Sequence, residues 1–189
     1  MKNMEKNNLN NEIESLKEQI ESLKEENKRL KELSITDELT GLYNWRYFHE
    51  RLEHEIARNK RQNHPLSLLF LDVDSLKSYN DTYGHSGGNE VLKTIAQSIN
   101  KCIRKEVDSA YRFGGDEFAV ILPEVRSDQA INIAKRIICN LTKADFGNIS
   151  LSFGIAELNQ DMDSETLIKH ADEAMYLSKR EANDKIHIY

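Results

Sequence analysis

The sequence predicts an α+β fold, a mainly antiparallel sheet with helices packed against it, preceded by one long N-terminal helix. Three observations carry this. From Asn44 onward, periodic segments follow as helix, strand, helix, hairpin, helix, strand, helix, strand. One apolar run, residues 66–73 (LSLLFLDV), is near-continuous and reads as a strand buried on both faces. Two more strand-prone stretches flank Gly114-Gly115 and read as a tight hairpin, because glycine takes positive φ without strain.

The elements justify themselves in order. Residues 9–33 repeat every seven. Leu9, Leu16, Leu23 and Leu30 fill one seam position (d), and Ile13, Ile20 and Asn27 fill the other (a). Isoleucine at a with leucine at d favours two parallel strands, and a single Asn at a fixes register. Glu12 can meet Lys17 of a second copy, and Glu26 can meet Lys31. The spacing therefore predicts a coiled-coil dimerisation helix over residues 1–35 and a separate domain over 36–189. Ser34-Ile35-Thr36-Asp37 breaks the heptads, and Thr40-Gly41 reads as a turn. Asn44 caps a helix to about Arg61, with Phe48, Leu52 and Ile56 on one face. After the strand 66–73 come a helical turn over 75–81 and a helix over 86–103 striped by Val91, Leu92, Ile95 and Ile99. The hairpin spans 108–122. A helix over 127–141 turns Ala130, Ile133, Ala134, Ile137 and Ile138 inward, and strand 149–155 alternates. A helix over 164–181 and a short strand over 186–189 end the chain.

Bulk properties narrow the class. Of 189 residues, 39% are hydrophobic and 31% charged, which suits one domain of about 150 residues plus an extension. The net charge of −6 argues against a nucleic-acid partner. No apolar run approaches the ~18 residues of a membrane span, and the N-terminus lacks a signal-peptide core. A cytoplasmic location is expected. Cys102 and Cys139 sit far apart in helical patterns and read as buried small apolar residues.

The chemistry concentrates in two places. The strand 66–73 ends in Asp72-Val73-Asp74, and the hairpin carries Asp116-Glu117 directly after its glycines. An apolar strand ending in aspartate, beside a hairpin bearing acids, is how a sheet assembles a Mg²⁺ site. The turn Ser75-Leu76-Lys77 opens a helix and offers backbone N–H groups, a natural cradle for a triphosphate.

Arg112-Phe113-Gly114-Gly115-Asp116-Glu117-Phe118 resembles the signature of GGDEF domains, the diguanylate cyclases, without substitution in its five core letters. The resemblance runs from about Thr36 to the C-terminus. Its other landmarks are Asp37 through Asn44, Asp72-Val73-Asp74, Asn80-Asp81, Gly84-His85, Ser152-Phe153-Gly154, and Ala171-Asp172 through Lys179. It implies the palm-like fold of nucleotidyl cyclases and a homodimer that condenses two GTP into cyclic di-GMP and two pyrophosphates. It also implies Mg²⁺, with Mn²⁺ as a substitute, held by Asp72, Asp116 and the Val73 carbonyl. Glu117 would bind metal or take a proton. Gly114 and Gly115 would admit the nucleotide, Lys179 would contact phosphate, and Asn80 would read guanine.

Three departures from the pattern stand out. Asn89 occupies the place of the family's second, aspartate, guanine reader. Asn183 replaces a phosphate-touching arginine, for which Arg180 or Lys185 can compensate. The product-inhibition motif is degenerate, Lys105-Glu106-Val107-Asp108, with Arg104 one place off. These departures keep two alternatives open: a cyclic dinucleotide synthase with relaxed base choice, making cyclic GMP–AMP, and a degenerate nucleotide-binding domain. A sensor outside these residues is expected to supply the input.

Overall fold

The structure, a computed structural model, describes residues 13–14, 16–26, 30, 35–181 and 184–189. It divides into two compact units, Met1–Thr36 and Asp37–Tyr189. In the first, residues 13–14, 16–26 and 30 are helical, and Ile13, Leu16, Ile20, Leu23 and Leu30 are exposed along the helix. The expected seam residues Leu9 and Asn27, the charges Glu12 and Lys31, the break at Ser34, and Asn183 lie outside the described residues.

The second unit contains strands β1 (Tyr43–Asn44), β2 (Leu66–Asp74), β3 (Ser109–Arg112), β4 (Glu117–Pro123), β5 (Ser150–Glu157) and β6 (Ile186–Ile188). Its helices are α1 (Trp45–Gln62), α2 (Leu76–Cys102), α3 (Ser127–Thr142) and α4 (Ser164–Arg180). One sheet runs β1-β3-β4-β2-β5-β6. Its four central strands pair antiparallel, while the edge pairs β1–β3 and β5–β6 are parallel.

β2 lies at the centre, bonded to β4 and β5. Alternation sends Leu69, Leu71 and Val73 to one face, against Val91, Ile95 and Ile99 of α2 and Ala134 and Ile137 of α3. Leu66, Leu68 and Phe70 go to the other, against Phe48 and Leu52 of α1 and Leu167 and Met175 of α4. Helices on both faces explain why this strand reads as an unbroken apolar run. Asp72 continues the second series, so its carboxylate falls on the α1/α4 face.

The helical turn and the helix expected over 75–81 and 86–103 are both present, as two helical segments of α2 that meet at a non-helical Gly84 (φ 76°, ψ 165°). One expectation changes. Cys102 is buried but Cys139 is exposed, because Ala130, Ile133, Ala134, Ile137 and Leu141 take the buried stripe of α3 and position 139 falls outside it.

β5 explains how α4 comes so close to the sheet. Its large residues Leu151, Phe153 and Ile155 share one face, and its small residues Ser152, Gly154 and Ala156 share the other. A Cβ at Gly154 would collide with the backbone of Ala171 and Met175 in α4. Gly154→Ala is therefore expected to lower stability by about 1–3 kcal/mol, read as a lower urea midpoint. An unchanged midpoint would show that α4 can shift freely.

Candidate active site

The carboxylates expected to act together do converge. Asp72 and Glu117 are direct neighbours across β2 and β4, on the same face of the sheet. Asp116 enters from the hairpin, and its carbonyl accepts a hydrogen bond from the Val73 N–H at 3.2 Å. That backbone bond ties the hairpin to the end of β2. Lys179, near the end of α4, places Nζ 2.8 Å from Asp72 Oδ2.

The electrostatics are those of a crowded anionic cluster. Burial raises the Asp72 pKa above its ordinary 3.8; Lys179 opposes this, and Asp116 and Asp74 add to it. Burial also raises Glu117, and the charges on Asp72 and Asp116 push it the same way. Burial alone would lower Lys179, but its hydrogen bond to Asp72 and the charges of Asp72, Glu117 and Asp116 outweigh that and raise it. A carboxylate in a simple ion pair would be held down. Here one ammonium serves three carboxylates, so Asp72 is not. Hard oxygen donors short of positive charge are the chemistry a divalent cation selects, although among the described residues the three that bring ligand atoms within 4.8 Å of one another are Glu181, Asp184 and His187.

The hairpin is not the glycine turn expected from the sequence. Four residues, 113–116, separate β3 from β4, and neither Gly114 nor Gly115 has positive φ. At Gly114 a Cβ would lie 2.5 Å from the Glu117 carboxylate and would push that side chain aside, whereas a Cβ on Gly115 would meet nothing within 4 Å. The loop closes through N–H bonds of Phe113 and Gly114 to the Glu117 carbonyl, at 2.8 and 3.1 Å.

Arg112 holds this loop from outside, a role its sequence gave no sign of. Its Nε and Nη2 donate to the Gly115 carbonyl at 3.2 and 2.7 Å. Its Nη1 donates to both carboxylate oxygens of Asp37, at 3.3 and 3.2 Å. Asp37 also accepts from the Thr40 N–H and hydroxyl, at 2.9 and 2.6 Å.

At the other side of the site, Ser75 starts α2 in the left-handed region (φ 65°) with no side-chain cap. Leu76 is buried while Ser75 and Lys77 are exposed. The first N–H groups of the helix have no intrahelical acceptor. One turn on, Asn80 Oδ1 is buried with no hydrogen-bond partner. It packs so closely on Gly88 that any Cβ at residue 88 would overlap it. Asn89 is exposed.

Two cavities meet at Glu117. One, of about 500 Å³, is walled by Phe70, Phe113, Ile168 and Asp172. The other, of about 430 Å³, is bounded by Tyr176, Lys179 and Tyr189.

The remaining expectations separate. Lys185 lies 3.2 Å from Asp74, which also accepts from the Ser150 and Ser152 hydroxyls, so this lysine borders the site. Arg180 instead sits 5.9 Å over the Tyr176 ring. The degenerate inhibitory motif is not assembled as a pair: Lys105 is exposed, and Asp108 is buried and taken up by Arg104. Nη2 of Arg104 lies 2.6 Å from Asp108, and the same guanidinium reaches the Pro123 carbonyl.

Comparison with known proteins gives a consistent picture. The family model described as diguanylate cyclase, GGDEF domain, matches residues 34–185. The diguanylate cyclase DosC of Escherichia coli K12 is 38% identical over 160 residues, 81% of this chain and 35% of DosC. The response regulator PleD of Caulobacter vibrioides is 35% identical over 164 residues, 82% of this chain and 36% of PleD. The chain thus spans about a third of the length of these relatives. A crystal structure of the coiled coil and GGDEF domain of DgcB from Caulobacter crescentus, in complex with c-di-GMP, superposes with a TM-score of 0.87. It shares 26% identity and covers 96% of this chain and 99% of that one.

The clasp between Asp37 and Arg112 yields a pH test. Burial raises the Asp37 pKa, but the Thr40 hydrogen bonds and Arg112 outweigh it and hold the carboxyl below its ordinary 3.8. A depressed acid stabilises the fold above its unfolded pKa and loses that effect as pH falls through the folded value. Asp37→Asn is expected to lose about 1 kcal/mol at pH 7, with the gap to wild type closing as pH falls below the ordinary 3.8 and through the lower folded value. Urea titrations at several pH values measure this; a gap that does not shrink on acidification refutes the clasp.

Proposed function

The chain belongs to the GGDEF family of diguanylate cyclase domains, and from that membership we propose that it condenses two GTP into cyclic di-GMP. The observation that carries this is the meeting of Asp72, Asp116 and Glu117 around Lys179, beside a helix start suited to phosphates. The 3′-oxygen of one nucleotide forms a bond to the α-phosphorus of the other. The α–β bond breaks, and pyrophosphate leaves with the electron pair. The same exchange in the opposite sense closes the ring, so two pyrophosphates are released.

Asp72, Asp116 and the Val73 carbonyl would hold Mg²⁺, or Mn²⁺. Bound there, the ion supplies Lewis acidity toward the α-phosphate and favours ionisation of the attacking hydroxyl. Glu117 either completes the ligand set or takes the hydroxyl proton. Its weakened acidity suits it to the second task. Ser75, Leu76 and Lys77 present N–H groups to the triphosphate, Lys179 adds a cation, and Gly114 and Gly115 keep the approach open. The orphaned Asn80 acceptor asks for a donor, and guanine offers N1–H and N2–H₂ on its pairing edge. This supports guanine as the base.

Each domain would hold one nucleotide, so two copies must meet. The exposed stripe from Ile13 to Leu30 supports a parallel homodimer through residues 9–33. Such a tether raises the effective concentration of the half-sites. The need for nucleotide substrate supports a cytoplasmic location.

Incubation with Mg²⁺ and GTP, read by mass spectrometry, is expected to give cyclic di-GMP and pyrophosphate. Asp116→Asn and Glu117→Gln are each expected to lower turnover by about 100-fold or more with the fold intact. Near-normal turnover in both would remove the carboxylates from the reaction. Replacing Leu16 and Leu23 with Glu is expected to give monomers whose rate per protomer falls on dilution. A wild type that sediments as a monomer at micromolar concentration would overturn the coiled-coil reading.

A further inference from the structure

One face of α4 is turned to solvent in an unusual way. Glu173, Tyr176, Leu177 and Arg180 are all exposed, and steps of three, one and three residues put them on a single helical stripe. Tyr176 is 59% exposed and Leu177 49%. Of the eight exposed large hydrophobics described in the second unit, four (Tyr176, Leu177, Ile188 and Tyr189) lie on α4 or the β6 edge. A concentration of this kind marks an interaction surface rather than the scattered apolar residues of an ordinary exterior. Tyr176, Leu177 and Tyr189 also border the cavity that holds Glu117 and Lys179, so whatever covers the stripe lies against the catalytic cluster.

We propose that the stripe is where the catalytic unit meets a second copy of itself, α4 against α4 in antiparallel sense. A two-fold contact must be self-complementary, because the same patch supplies both sides. The order of residues here meets that condition. With the axis level with the point between Tyr176 and Leu177, each Leu177 faces Leu177 of the partner subunit and each Tyr176 faces Tyr176 of the partner subunit. Each Glu173 then faces Arg180 of the partner subunit. An apolar centre is flanked twice by opposite charges, which fixes the antiparallel sense and rejects the parallel one, where like charges would meet. The inference rests on the proposed cyclase reading, which needs two nucleotide sites face to face. α4 also carries Lys179, so pairing two copies of this helix brings the two clusters toward a common axis. A lipid surface fits the stripe poorly, since its ends carry opposite charges and the chain carries a net charge of −6.

The test uses the full chain and two charge reversals, Glu173→Arg and Arg180→Glu. Each alone sets like charges against each other at both ends of the contact and is expected to lower cyclic di-GMP formation about tenfold. Co-expressing the two variants is expected to restore the rate, because in the mixed dimer both pairs are opposite again. Within its own helix Glu173 pairs with Lys169 at 3.8 Å, and Arg180 covers Tyr176. Mixing restores neither of these contacts, so rescue reports the partner alone. Binding of a non-hydrolysable GTP analogue is expected to be unchanged in both variants. Wild-type rates in the single variants, no rescue on mixing, or loss of analogue binding in Arg180→Glu would each overturn the proposal. A second arm needs no catalysis. Leu177→Cys in a Cys139→Ser background is expected to form a disulfide-linked dimer under mild copper–phenanthroline oxidation. Its absence overturns the contact, whereas a wild type inactive on GTP but cross-linked through residue 177 sinks the cyclase reading and leaves the contact standing. Cross-linking only to unrelated protein in a crude extract, with none in the pure chain, assigns the stripe to another partner and overturns the proposal.

Discussion

Three carboxylates at one end of a sheet repel one another, and the site exists only because the fold holds them together despite that. Lys179 supplies one positive charge to Asp72, Asp116 and Glu117. The direction of the shifts follows: desolvation and mutual repulsion win over a single ammonium, so Asp72 and Glu117 resist ionisation while Lys179 resists losing its proton. A dispersed surface arrangement would relax by letting side chains swing apart. These cannot, since Asp72 and Glu117 are fixed across a central ladder of the sheet.

The rest of the domain can be understood as what keeps that ladder in place. β2 is covered on both faces by helices, so its end cannot fray into water. The bond from Val73 to the Asp116 carbonyl carries the strand's rigidity into the hairpin. Arg112 extends it further, joining Gly115 to Asp37, which lies 75 residues before this arginine in the sequence. On the far side, Gly154 lets α4 lie directly on β5. That closeness decides whether Lys179 can reach Asp72 at 2.8 Å.

Much of this was legible in the sequence, for identifiable reasons. β2, β5 and the long helices declared themselves because burial imposes period two or 3.6 on many residues at once. The site was legible because Asp72, Asp116 and Glu117 sit at element ends, where a short motif fixes geometry. What escaped notice depends on long-range contact. β1 is two residues long and exists only by pairing with β3. Arg112 looked like part of a strand until its distant partner Asp37 was in view. Cys139 followed the helical pattern but missed the buried stripe. The glycine pair was assigned to positive φ from local rules. What Gly114 meets instead is the Glu117 side chain folding back over it. Lys185 was one of two candidates to replace a missing arginine, and only the path of the chain into β6 separates it from Arg180.

Three of the places where local rules fail lie at the site. Ser75 holds a left-handed backbone that disfavours side chains, at a cost of about 1–2 kcal/mol. Asn80 keeps a buried acceptor without a donor, which costs about 1–3 kcal/mol. The acids are packed against their own repulsion. These three sit at the same end of the sheet or on the helix that leaves it, although Asn63, Glu106 and Glu124 hold the same left-handed backbone at the opposite end. In the proposed reading a cation would offset the acids, phosphate oxygens would accept from the N–H groups beside Ser75, and a base with N–H donors would complete Asn80. No one of these remedies serves the other two, yet a nucleoside triphosphate with its metal contains all three. These features therefore add support to the proposed nucleotide substrate, beside the likeness to other proteins.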